Sequence, residues 1–194
     1  MSDLPEWERV LSAACRLQTL LPEAVLVGGT GTALHAGHRK PHDADHVVAD
    51  LRERFDSVLA TIESVAGWKT ARVQRPAQIP GSLDGIETGI RQLRRSVPLE
   101  TTTISVASGT ITLPTAAEMF RIKAWLVLTR NATRDYIDLV ALTSKLGAMQ
   151  AAMALQSMDT LYPQDNGQSA LQQLMMQLAD PKPYDLAATD LFAR

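Results

Sequence analysis

The sequence predicts an α+β fold, a core built on a mixed sheet followed by a lobe made of helices. Three observations predict it. Apolar residues recur at helical spacing near the N-terminus, and short apolar or β-branched runs alternate with helical stretches as far as Gly67. The period then falls to two until Pro114, and from Thr115 it is helical again. The change of character divides the chain into an expected core, 1–114, and a helical lobe, 115–194. At 194 residues and 45% hydrophobic content, the chain has ample material for a core, which excludes wholesale disorder.

Each element has its own signal. Trp7, Val10, Leu11, Ala14, Leu17, Gln18 and Leu21 form a helical stripe that Pro22 stops. The run 24–27 reads as a buried strand closed by Gly28-Gly29. Residues 30–38 suit a short helix that Pro41 prevents from continuing, and 43–49 a strand around Val47-Val48. Residues 51–66 form a helix with Phe55, Val58, Leu59 and Ile62 inward. Strands are expected at 70–75, 86–94, 99–107 and 110–113, with turns at 76–85, 96–98 and 108–109. Thr115-Ala116-Ala117-Glu118 has the form of a capping box opening a helix to about Arg130. Further helices are expected at 133–146, 148–161 and 168–178.

Charge and cysteine usage narrow the function classes. Nineteen Lys and Arg against 21 Asp and Glu exclude a uniformly basic, nucleic-acid-coating protein, although a local basic face remains open. The lone Cys15 excludes an internal disulfide framework and a multi-cysteine zinc site. The first residues lack the basic and apolar regions of a signal peptide, and no run reaches the roughly 18 apolar residues of a membrane span. The expectation is a cytoplasmic protein without membrane contact.

The most informative stretch joins Gly28-Gly29-Thr30 to Arg39 and to Asp43-Ala44-Asp45. Bare backbone at the glycine pair lets amides approach an anion, and a helix N-terminus adds a favourable dipole. Asp43 and Asp45 are two apart on a strand, so both project from one face. Such a pair repels itself unless a cation intervenes, and a hard divalent ion bridging to phosphate is the natural answer. Taken singly, a Gly-Gly is most often a turn and an Asp-x-Asp a solvated strand end. Order and spacing are what raise them, by placing a phosphate cradle one element before a metal-binding strand.

With Gly37-His38-Arg39, Arg121-Ile122-Lys123 and the stretch from Arg134 to Leu139 added, the pattern resembles the AbiEii/AbiGii-type nucleotidyltransferase toxins. These belong to the DNA-polymerase-β-like nucleotidyltransferase superfamily. The resemblance spans roughly residues 20–150 and implies a polymerase-β-like core with a C-terminal helical lobe. It also implies transfer of a nucleoside monophosphate from an NTP to an acceptor, commonly a tRNA 3′ end, and a partner antitoxin. Pro41 stands where many relatives carry a serine able to touch phosphate. The third carboxylate of the pattern falls to Asp84 or Glu87, and Glu87 is favoured because it lies within a strand.

In the lobe, the helix after Thr115 is apolar nearly all round, yet Lys123 stands in its middle. A buried ammonium needs acceptors. Asp135 and Asp138 share a helical face and could hold Lys123 or Arg130. One reading is an ion-pair cluster that ties the lobe together. The other, which the resemblance favours for Lys123, is a lysine facing nucleotide phosphates with Asp135 acting in the site. Lys69, Arg72, Arg75, Arg91, Arg94 and Arg95 either share a face, as a basic platform for RNA, or are solvated edge charges. Pro41 interrupts the histidine spacing before a third zinc ligand arrives, and Cys15 reads as core.

The resulting expectation is nucleotidyl transfer. Asp43 and Asp45, with Glu87, hold Mg²⁺ or Mn²⁺, while Gly28, Gly29, Thr30, Arg39 and Lys123 hold the triphosphate. Two alternatives stand beside it. One is the same chemistry on a small molecule or protein; the other is a degenerate, non-catalytic scaffold that binds a partner through its Met-rich helices. A helix-turn-helix over 115–146 is disfavoured by Asp135 and Asp138, which phosphate would repel.

Overall fold

The computed structural model describes residues 6–185. The chain divides into two compact units between Thr115 and Ala116. Among the described residues the first unit contains α1 (Glu6–Leu20), β1 (Val25–Leu26), α2 (Gly28–Ala36), β2 (Asp43–Val48) and α3 (Leu51–Glu63). It continues with β3 (Trp68–Thr70), β4 (Gln78–Leu83), β5 (Ile86–Gln92), β6 (Thr101–Val106) and β7 (Gly109–Pro114). Five strands form one sheet in the order β1-β2-β5-β4-β3, and β6 and β7 pair separately. β2 and β5 run parallel while the other neighbours are antiparallel, so the sheet is mixed, as the sequence predicts.

Alternation along β2 decides what the sheet can do. Ala44, His46 and Val48 are buried, whereas Asp43, Asp45 and Val47 are only half-buried. The parallel register pairs Asp43 with Glu87, Asp45 with Gly89 and Val47 with Arg91, which continues the same two rows on β5. On the core side Val48, Ile79, Leu83 and Ile90 pack with Leu17 of α1 and with Phe55, Val58 and Ile62 of α3. A second cluster joins Val10, Leu11 and Ala14 of α1 to Leu26, Ala44, Ile111 and Leu113. Each Val, Leu, Ile or Phe side chain among them contributes ~1.5–3 kcal/mol on burial. A one-residue slip of β2 would drive Asp45 into this core, so the register is firmly set.

The structure departs from the sequence reading in identifiable places. Residues 76–85, expected as a turn, contain β4, whose Pro80 and Gly81 imitate breakers. Gly81 is there because the Trp68 ring lies across it, where a Cβ would stand 2.5 Å from the indole. The strand expected at 70–75 shrinks to β3, with an isolated bridge from Gln74 to Gln78. α2 stops at Ala36, ahead of Pro41, because Gly37 takes the left-handed conformation (φ 64°) that closes helices. Gln18, by contrast, is buried as its place on the helical stripe implies, and its amide serves as a strand partner: Nε2 donates to the Thr112 carbonyl (2.7 Å) and Oε1 accepts from Thr112 N (2.8 Å).

The second unit is helical among its described residues: α4 (Ala116–Arg130), α5 (Thr133–Leu146), α6 (Ala148–Leu155), α7 (Met158–Leu161) and α8 (Ala170–Ala179). The single helix expected at 148–161 is therefore two. α4 packs against α5, α6 and α8, burying Met119, Phe120, Ala124 and Val127. α5 lacks a cap of its own. The Asp185 carboxylate supplies one by accepting from Thr133 N and Oγ1, both at 2.7 Å, and these bonds hold its pKa below the usual carboxylate range. No helix of the described residues is long and apolar enough to cross a membrane.

Candidate active site

The site grows from the junction of β1, α2 and β2. Gly28 opens α2 with φ +68°, a conformation that disfavours any residue with a Cβ. A Cβ there would also stand 3.6 Å from Asp45 Cβ, so the start of α2 and the Asp45 side chain are close neighbours with room for one methyl between them. Gly29 is bare for a different reason. Arg39 Nη2 lies 2.6 Å from where its Cβ would be, so the guanidinium rests on the turn itself. Val27 provides no side-chain cap, which leaves the first-turn amides of α2 without one. An uncapped helix start with an arginine laid across it is an environment for an anion.

Two hydroxyl bonds fix this geometry. Thr30, 1% exposed, donates from Oγ1 to the Asp43 carbonyl (2.5 Å), and Thr32 Oγ1 donates to the Gly28 carbonyl (2.9 Å). The Thr30 hydroxyl thus ties α2 to the strand that carries the carboxylates. Val27 N donates to the Asp45 carbonyl (2.8 Å) and completes the junction. From the neighbouring strand the Thr88 hydroxyl donates to the Ala44 carbonyl. Pro41, in the serine position of the resembling family, is buried.

Asp43 and Asp45 share a face, and Asp45 meets a cation: Arg91 Nη2 lies 3.4 Å from its Oδ2. Glu87 sits beside Asp43 in register but is exposed, and among the described residues no three His, Cys, Asp or Glu side chains gather as a metal cage. The expected trio of Asp43, Asp45 and Glu87 is thereby reduced to a pair with a neighbour. Two hard oxygen donors on adjacent same-face positions still suit Mg²⁺, which keeps waters and borrows substrate phosphates for its remaining ligands. The donor set therefore fits a divalent cation held jointly with a phosphate, and does not fit a self-sufficient cage.

Arg91 and Gly89 are what the sequence reading missed as site residues. With Asp45, Gln78 and Pro80 they line a depression of about 280 Å³, open solvent in its mouth included. The signal was available: Glu87, Gly89 and Arg91 alternate on β5, and the parallel register sets them beside Asp43, Asp45 and Val47. Of the two readings left open for the six basic residues, the shared platform is not met by Arg75, Arg91 and Arg95. Arg75 pairs with Asp56 and stands 4.8 Å over the Phe55 ring on the α3 side, Arg95 donates to the Val97 and Pro98 carbonyls, and Arg91 is with Asp45 on the other face.

In the helical unit, Lys123 Nζ lies 3.1 Å from Asp135 Oδ1 and 2.6 Å from Asp138 Oδ2. All three side chains are at most 4% exposed. This is the geometry of the ion-pair cluster. Arg121 and Glu118 form a second buried pair on α4, at 2.6 Å.

The solution structure of antibiotic-resistance factor ANT(2'')-Ia superposes with a TM-score of 0.59 at 10% identity, covering 80% of this chain and 94% of that one. The lincomycin-bound lincosamide antibiotic adenylyltransferase LnuA gives 0.53 at 14% identity, over 71% and 96%. An antigenic nucleotidyltransferase-like protein from Paracoccidioides brasiliensis gives 0.52 at 16%, over 87% and 93%. The chain has a nucleotidyltransferase-like fold. No family profile matches the sequence. In sequence it is 29% identical over 204 residues to the heme uptake protein MmpL11 of Mycobacterium tuberculosis, covering 91% of this chain and 20% of that protein. It is 27% identical over 192 residues to the mycolic acid-containing lipids exporter MmpL11 of Mycolicibacterium smegmatis, covering 91% and 18%. The chain thus spans about one fifth of the length of the curated relatives it matches.

Proposed function

We propose that the chain is a nucleotidyltransferase, moving a nucleoside monophosphate from an NTP to an acceptor hydroxyl. One observation carries the reading: the paired carboxylates of β2 stand beside the glycine start of α2, where a Cβ on Gly28 would meet the Asp45 side chain at 3.6 Å, on the polar face of a nucleotidyltransferase-like sheet. Asp43 and Asp45 would hold Mg²⁺ or Mn²⁺, with Glu87 as an outer neighbour. Such an ion supplies charge neutralisation on the triphosphate. Gly28, Gly29 and the Thr30 backbone present amides to phosphate oxygens, and Arg39 adds a guanidinium over the turn. The acceptor oxygen attacks the α-phosphorus and gives its proton to a carboxylate or water. The bond to the bridging oxygen breaks and pyrophosphate leaves. Positioning and fixed charge do most of the work.

Lys123 and Asp135 enter this proposal as the strut of the helical unit, since the ammonium is already held by two carboxylates. The finer reading, an RNA 3′ end (tRNA) as acceptor and an antitoxin as partner in the cytoplasm, rests on the joint motif of Gly28-Gly29-Thr30, Gly37-His38-Arg39 and Asp43-Ala44-Asp45. A second reading has its own observation. The match to one fifth of a transporter-length protein favours a regulatory module attached to or descended from such a system. Asp45 facing Arg91 accords with it.

Labelled NTPs offered with total RNA, protein or metabolites separate these readings. Asp43→Asn or Asp45→Asn is expected to reduce incorporation by at least ~100-fold. Full incorporation in either variant overturns the assignment. Absence of Mg²⁺-dependent NTP binding by calorimetry in the wild type favours the regulatory module.

A further inference from the structure

We propose that Arg91 is a positioning residue that competes with a divalent cation for Asp45 and thereby sets how readily the site loads. This inference rests on the nucleotidyl-transfer reading of the same carboxylates. The pair is direct, with Arg91 Nη2 3.4 Å from Asp45 Oδ2. Both partners keep contact with solvent, at 42% and 28% side-chain exposure, so the contact opens without disturbing the core. A guanidinium and a dication repel each other, so each weakens the other's hold on one carboxylate.

Gly89 is what makes the competition geometrically available. It lies between the two groups, opposite Asp45 in register and two residues before Arg91 on the same face. A Cβ at this position would stand 2.9 Å from Asp45 Oδ1 and 4.0 Å from Arg91 Nε. Bare backbone at this position makes room for the Asp45 carboxylate, which a Cβ would crowd, beside the guanidinium two residues on. Arg91 is also paired in register with Gln78, and both line the depression that Asp45 borders. Once displaced, the guanidinium remains within that depression and faces whatever anionic oxygen arrives with the cation. The same residue therefore opposes bare metal and favours a metal that comes bound to an anion.

Mn²⁺ titration of the whole chain, followed by the EPR signal of the free ion, tests this without reference to turnover. Arg91→Gln is expected to bind Mn²⁺ about two- to fivefold more tightly than wild type at low salt. The gap should close at roughly 0.5 M salt, where exposed pairs are screened. Arg91→Lys should stay near wild type, and Arg91→Met gives the same comparison if glutamine lowers the melting temperature. Equal or weaker Mn²⁺ binding in Arg91→Gln, with Asp45→Asn still reducing it, removes the role of Arg91 and leaves the metal site standing. Equal binding by wild type and Asp45→Asn removes both.

Discussion

Two acidic pairs, each faced by a cation, have opposite fates in this molecule. Asp43 and Asp45 lie two apart on β2 with Arg91 beside Asp45, and solvent reaches all of them. Asp135 and Asp138 lie three apart on α5 with Lys123 between them, and water is excluded. Sequence spacing puts each pair on one face of its element and says nothing of what that face meets. Burial decides the rest. In the first pair the charges are weakly held and exchangeable, as a site that loads a cation requires. In the second, two carboxylates against one ammonium leave a net negative charge in low dielectric, with Asp135 Oδ2 lacking a partner among the described residues. That arrangement holds only as a complete unit.

The strongest way to break this comparison is to remove the buried cation. Lys123→Met should destabilise the protein by ~3–5 kcal/mol, because it strands two carboxylates in the helical unit. Urea unfolding followed at Trp125, which stacks on Tyr162 in the same unit, reports it. A loss below ~1 kcal/mol would show that the cluster is hydrated and that the two pairs differ less than their burial indicates.

What could be read in advance follows the same division. The mixed sheet, the shared face of Asp43 and Asp45 and a helix start beside Gly28-Gly29 were legible, because i, i+2 spacing on a strand and a glycine pair are local signals, although the helix begins at Gly28 and not at Thr30. β4 was not, since Pro80 and Gly81 look like breakers until Trp68 is known to lie across Gly81. Spacing put Asp135 and Asp138 on one face but could not choose Lys123 over Arg130 as their cation, nor a cluster over a cleft. Arg91 was legible only as one basic residue among six. Its meeting with Asp45 is a property of strand register, which arises from the pairing of β2 with a strand more than 40 residues on.

A second prediction sharpens the contrast within β2 itself, one residue from the candidate site. His46 is fully buried on the core face, with Nδ1–H donating to the Ala44 carbonyl (3.0 Å) and Nε2 without a partner among the described residues. Burial pushes its pKa down to about 4. The folded state therefore binds fewer protons than the unfolded chain, where the pKa is near 6.5. Stability from this group is complete above about pH 6.5, falls as the pH drops towards 4, and levels off below it. By pH 5 the loss should be about 2 kcal/mol. Comparing unfolding at pH 7 and pH 5 for wild type and His46→Leu isolates it, since the variant lacks this component of the slope. A wild-type slope that survives the substitution unchanged would mean that the core face of β2 is wetter than its burial shows.

The smallest effect is the most diagnostic for the site. Asp45→Asn removes the charge that faces Arg91 while keeping the side chain's shape, and the exposed pair is worth only ~0.2–1 kcal/mol. Stability should therefore change by less than about 1 kcal/mol even as nucleotide incorporation is lost. The sign is informative too. Relief of repulsion between Asp43 and Asp45 offsets the lost pairing with Arg91, so a slight stabilisation is consistent with a carboxylate pair kept for chemistry rather than for folding. A loss of 3 kcal/mol or more would place Asp45 with Asp138, as an acid held by its fold, and the distinction between the two pairs would fall.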